Sequence, residues 1–142
     1  MLKNIPKILS PELVKTLMEM GHGDEIVIAD GNFPCNTCGK RVVRCDGHGV
    51  TELLDAIMQL MPLDTYTDKP VMLMEVVPGD DVVPVIWEDY KAVINKYEPE
   101  NCKIEMIERF AFYERAKQAY AVVATGEEAI YANIILKKGV VK

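Results

Sequence analysis

The chain reads as an α/β protein: a single-domain three-layer sandwich with a mixed, mainly parallel sheet and helices on both faces. Three observations predict this. Short apolar runs rich in β-branched residues alternate with stretches whose apolar residues recur every three or four positions, as strands alternate with helices. Such alternation covers a sheet on both faces. The two last strands are joined only by residues 126–132, fewer than the dozen or so that a parallel crossover needs, so part of the sheet should be antiparallel.

The elements follow in order. Ser10-Pro11-Glu12 is a helix start, with a side-chain cap, a proline suited to the first turn and an acid facing the helix dipole. Leu13, Val14, Leu17, Met18 and Met20 continue it as an apolar stripe that Gly21 ends. Residues 25–29 are a buried strand and 42–44 a weaker one. Residues 50–61 carry Leu53, Leu54, Ile57, Met58 and Met61 on one helical face. Residues 71–77 form a strand closed by the turn cluster Pro78-Gly79-Asp80-Asp81. Ile86, Tyr90, Val93, Ile94 and Tyr97 give 84–97 one buried helical face. Residues 103–108 alternate apolar and polar, 110–118 are helical, and 120–125 and 133–137 are strands.

Composition narrows the partners. At 142 residues, 49% hydrophobic and 27% charged, the chain has the profile of one globular domain spanning 1–142. It buries roughly 68% of its unfolded surface without needing disulfides or metal. Sixteen basic residues against 22 acidic give a net charge of −6, which argues against a nucleic-acid partner. No apolar run approaches the ~18 residues of a membrane span. The opening residues lack the apolar core of a secretory signal, and the four cysteines read as reduced thiols. A cytoplasmic location is expected.

His22 is the first candidate for chemistry. It lies between Gly21 and Gly23 where a helix hands over to a strand, with Asp30 at that strand's far end. An accessible imidazole near a carboxylate suits proton transfer; the plain alternative is a histidine that caps a helix favourably. Three further stretches place polar groups at the ends of apolar elements, where α/β proteins hold ligands: Leu63-Asp64-Thr65-Tyr66, Glu108 through Arg115, and Tyr131-Ala132-Asn133. Each has a plain reading too. Asp64 would be a turn residue, Glu114 and Arg115 a solvated helix face, and Phe110 and Phe112 core or interface.

Several long strings resemble one family. They are Ile5-Pro6-Lys7-Ile8-Leu9-Ser10-Pro11-Glu12-Leu13, Met20-Gly21-His22-Gly23-Asp24-Glu25, Leu63-Asp64-Thr65-Tyr66, Glu108-Arg109-Phe110-Ala111-Phe112-Tyr113-Glu114-Arg115 and Tyr131-Ala132-Asn133-Ile134. In this order they resemble the fucose mutarotase and D-ribose pyranase family from end to end. Phe112-Tyr113-Glu114-Arg115 and the Tyr-x-Asn opening favour the fucose branch. The resemblance implies exchange of the α and β pyranose anomers of L-fucose, with no cofactor. It makes His22 the proton donor and Asp30, Arg109, Tyr131, Ala132 and Asn133 sugar-binding positions. Asp64 and Tyr113 match positions implicated in animal-type members, and either could complete the acid–base pair. The family often has glycine where Ala132 stands, which alanine can replace unless φ is positive there. The resemblance further implies a homo-oligomer, ring-like decamers in bacterial members, with sugar sites near subunit contacts.

Rival readings are a zinc site and a binding module. Cys35-x-x-Cys38 and Cys45-x-x-His48 are zinc-like pairs, though the six-residue gap is short and its middle reads as a strand. A redox dithiol at Cys35 and Cys38 lacks the helix start that favours a thiolate. A non-catalytic sugar sensor on the same fold would have no use for a proton donor. Trp87 reads as core or interface, His48 as a solvated helix start, and Met74 as core filler that could line a pocket.

Overall fold

The computed structural model describes residues 1–142. Six strands form one sheet: β1 (Glu25–Ala29), β2 (Val42–Cys45), β3 (Val71–Met74), β4 (Ile104–Ile107), β5 (Ala121–Thr125) and β6 (Ile134–Lys137). Their order is β2-β5-β1-β6-β3-β4. Parallel ladders join β1 to β5, β2 to β5 and β3 to β4, while β6 runs antiparallel to both β1 and β3. The expected mixed, mainly parallel sheet is therefore found. The short 126–132 connection does not pair β5 with β6; it carries the chain past the end of β1, which lies between them.

Helices α1 (Pro11–Glu19), α3 (Val50–Met58) and α4 (Ile86–Tyr97) cover one face, and the short α2 (Cys35–Cys38) with α5 (Arg109–Gln118) covers the other. Alternation along each strand divides the core accordingly. Ile26 and Ile28 point towards α1 and α3, whereas Val27 and Ala29 point towards Phe112 and Ala116 of α5. Ser10 caps α1 as expected, its hydroxyl accepting from the Leu13 N–H at 3.1 Å. Lys138 closes the other end of that helix, donating through Nζ to the carbonyls of Leu17 and Met20 at 2.7 and 2.5 Å. No helix is long and apolar enough to cross a membrane.

Three expectations need correction. The strand expected over 71–77 stops at Met74: the Glu75 N–H makes a last bond to the Ile107 carbonyl at 2.8 Å, and the chain then turns away so that Val77 lines a cavity. The helix expected to begin at Phe110 begins at Arg109, after a capping Glu108. Arg115 is not a solvated side chain: its guanidinium grips the Glu25 carboxylate at 2.7 and 3.0 Å, tying α5 to the start of β1.

Candidate active site

The carboxyl ends of β1, β3 and β4 and the start of β6 enclose a cavity of about 320 Å³, lined by Asp30, Asn32, Phe33, Met74, Val77, Asp80, Arg109, Tyr113, Ile130, Tyr131 and Asn133. This is where parallel α/β sheets place ligands. The volume lies at the small end of ligand sites. Its floor is rigid. The Asp30 N–H donates to Asn133 Oδ1 at 2.8 Å and Asp30 Oδ1 accepts from the Asn32 N–H at 3.0 Å. Both side chains are buried. Burial pushes the Asp30 carboxyl above the usual aspartate range, although N–H groups of Asn32, Ala132 and Phe33 favour its charge.

The wall is made by α5 and by the start of β6. Glu108 caps α5, its carboxylate accepting from the N–H groups of Phe110 and Ala111 at 3.0 Å, and so fixes Arg109 in the first turn. Arg109 Nε donates to the Tyr113 hydroxyl at 3.1 Å. Tyr131 has φ 57°, a left-handed conformation that is costly for an aromatic residue. Two bonds hold its neighbourhood: Trp87 Nε1 donates to the Tyr131 carbonyl at 2.8 Å and the Tyr90 hydroxyl to the Ala132 carbonyl at 2.7 Å. Ala132 itself has no positive φ, so the alanine is unstrained. Its side chain is buried in the core on the α3–α4 face, and its backbone N–H bears on Asp30.

His22 and Asp64 lie elsewhere. His22 Nε2 is 2.9 Å from Asp64 Oδ1, with the imidazole side chain 46% exposed and the carboxylate side chain 4% exposed. The Tyr66 ring packs at 5.1 Å from the imidazole, and the Tyr66 N–H donates to Asp64 Oδ1 at 3.1 Å. Burial raises the Asp64 carboxyl, but hydrogen bonds from His22 and Tyr66 and the nearby His22 and Lys137 charges outweigh it and hold it below the usual range. This dyad stands before β1 and beside the end of β6, whereas the cavity opens after β1 and before β6. At ~3.3 Å per residue the strand separates them by roughly 15 Å. One copy of the chain does not bring His22 and Asp64 to Arg109, Tyr113, Tyr131 and Asn133.

Sequence reasoning missed Asn32, Phe33, Val77, Asp80 and Ile130 on the cavity wall. Met74 lines it as foreseen, and Trp87 does more than fill space. Asp80 was visible only as part of a turn cluster. The four residues of the zinc reading do not converge: Cys35 and Cys38 pack beneath α5, Cys45 packs across the sheet, and His48 pairs with Glu52 at 3.2 Å. Against expectation Cys35 does open a helix, the four-residue α2, but burial pushes its thiol up to about 11, which disfavours a thiolate.

Known proteins share this sequence and architecture over their whole length. The model of the RbsD / FucU transport protein family matches residues 3–141. An L-fucose mutarotase of Actinobacillus pleuropneumoniae serotype 5b is 52% identical over 99% of this chain and 97% of its own length. The Homo sapiens fucose mutarotase is 49% identical over 98% and 94%. The crystal structure of the fucose mutarotase of Streptococcus pneumoniae in complex with L-fucose superposes with a TM-score of 0.95, at 56% identity and covering 99% of this chain and all of that one. Bacillus subtilis RbsD complexed with D-ribose superposes less closely, with a TM-score of 0.69 at 26% identity over 94% and 95% of the two chains. The chain belongs to the RbsD / FucU transport protein family.

Proposed function

We propose that this chain is a cytoplasmic mutarotase that interconverts the α and β pyranose anomers of L-fucose, residues 1–142 acting as one catalytic domain. The observation that carries the reading is an imidazole half open to solvent and held by a buried carboxylate, His22 on Asp64. Ring opening needs a proton delivered to the ring oxygen as another leaves the anomeric hydroxyl; the bond between that oxygen and the anomeric carbon breaks, and reclosure from the other face gives the second anomer. Histidine suits such two-way transfer near neutral pH. His22 gives the proton to the ring oxygen, Asp64 orients the imidazole, and Tyr113 in the cavity serves the anomeric hydroxyl. Asp30, Arg109, Tyr131 and Asn133 hold the remaining hydroxyls, the directional donors and acceptors that a sugar demands. Phe33, Met74, Val77 and Ile130 offer an apolar wall to the 6-methyl group, which D-ribose lacks.

The separation of dyad and cavity favours a working site built where two copies meet, His22 of one facing the cavity of the next. Tyr66 beside the dyad is 74% exposed, and Phe110 and Ile130 near the cavity are 66% and 47% exposed, an apolar coating suited to such contacts. A homodecamer agrees with this arrangement. The test is exchange NMR on equilibrated L-fucose: the chain should quicken α–β exchange, and His22→Gln should abolish the gain while sugar binding persists. Exchange no faster than in buffer would end the proposal.

A further inference from the structure

The turn after β3 contributes a carboxylate to the cavity that none of the roles above requires. Tyr131 Oη donates to Asp80 Oδ2 at 2.6 Å and accepts from the Val77 N–H at 3.3 Å. Asp80 is itself fixed, its Oδ1 accepting from the Val82 N–H at 3.1 Å. A phenol has one proton and two lone pairs. The proton and one lone pair are therefore engaged within the chain, and one lone pair remains for the cavity. The left-handed backbone of Tyr131 is held by its carbonyl bond to Trp87, and its ring is held by the Asp80 and Val77 bonds.

We propose that Asp80 is a positioning residue for the sugar site: it accepts the hydrogen bond of the Tyr131 hydroxyl, so that Tyr131 meets the sugar only as a hydrogen-bond acceptor. The hydroxyl facing Tyr131 must then donate, which sets its orientation and frees its own lone pairs to accept from Arg109. A short bond from a phenol to a carboxylate is charge-assisted, and it polarises the phenol oxygen towards the next donor. The proposal rests on the cavity being the sugar site.

The charged groups facing the Tyr131 hydroxyl are Asp80, which keeps it protonated, and Arg109, which opposes this. The variants Asp80→Asn, Asp80→Glu, Tyr131→Phe and the Asp80→Asn/Tyr131→Phe pair test the coupling. Asparagine still accepts from Val82 but can offer its amide protons to Tyr131 and reverse the bond. Asp80→Asn should raise KM for L-fucose about tenfold with little change in kcat, a fold-change typical of one coupled contact. Asp80→Glu should recover most of that loss, and the pair should be no worse than Tyr131→Phe alone. Tyrosinate absorbance, as the difference between each chain and its Tyr131→Phe counterpart, should show Tyr131 ionising at lower pH in Asp80→Asn than in the parent. Unchanged KM with an unchanged ionisation midpoint would overturn the proposal, as would losses that add in full. If the parent chain leaves anomer exchange unaltered, the sugar assignment fails, and the optical titration alone decides whether Asp80 engages the Tyr131 hydroxyl proton.

Discussion

Replacing Asp64 by asparagine preserves the side chain's shape and removes the charge that faces His22. Asp64 Oδ1 lies 2.9 Å from His22 Nε2 and accepts from the Tyr66 N–H at 3.1 Å; an amide oxygen has the lone pairs for both bonds but not the charge. A hydrogen bond to a charged group contributes ~1.5–3 kcal/mol. Water reaches 46% of the imidazole side chain, so the loss should be nearer ~1 kcal/mol. For a chain of this length that lowers Tm by about 3 °C. The pH dependence has a definite sign. The folded carboxyl lies below its ordinary value, so its contribution is present above about pH 4 and is lost as pH falls through the folded value. Asp64→Asn should flatten that acid limb in urea titrations between pH 3 and 7. In exchange NMR, kcat should fall about tenfold to a hundredfold, part of the ~10²–10⁴ that acid–base catalysis supplies, with KM nearly unchanged. A variant that keeps the acid limb, or loses affinity while retaining kcat, would refute the dyad.

Asp30→Asn probes the cavity floor. The Asp30 carboxyl lies above its ordinary value, so the folded state loses stability as pH rises from the ordinary value through the raised one; the variant should lack that decline in denaturation curves and lose L-fucose binding by saturation-transfer NMR. Lys138→Met strips the Leu17 and Met20 carbonyls of their cation. It should cost ~2 kcal/mol in chemical denaturation and lower kcat by loosening the Gly21–Gly23 turn. Thiol titration of the native chain at pH 8 should modify Cys102, the partly exposed cysteine, well before Cys35, Cys38 and Cys45, which are buried; added zinc should protect none of them.

Much of the layout was legible because local chemistry and tertiary packing agree. Ser10 is both the sequence signal for a cap and the actual acceptor for Leu13, and residues 26–29 are apolar because both sheet faces are covered. Element ends were less legible. Val76 and Val77 continue the β-branched composition of β3, yet they lie beyond the strand and Val77 lines a cavity, and composition does not separate those environments. The four-residue α2 is too short to show a helical period. Residue types at the site were readable, but not their distribution. His22 and Asp30 are eight positions apart, and only the straight run of β1 reveals that they stand at opposite rims of the sheet. Asp80 was hidden for another reason: a turn-forming aspartate and one that accepts a tyrosine proton look alike until the partner, 51 residues on, is in place.

Strand β6 has a consequence for how the molecule could evolve. Its first residues follow Tyr131 and Asn133, and its last precede Lys138, which secures the turn bearing His22. In the proposed assembly, one reversed ribbon thus sets the spacing between what a copy offers its neighbour and what it receives. A two-residue insertion there would keep every side chain on its proper face, yet move donor and receptor apart by ~7 Å. Closed assemblies repeat one geometry at each junction, so in the proposed homo-oligomer the error would recur at every contact. Loops at either rim can drift in length; if copies meet as proposed, this ribbon can change only in company with the geometry of their junction.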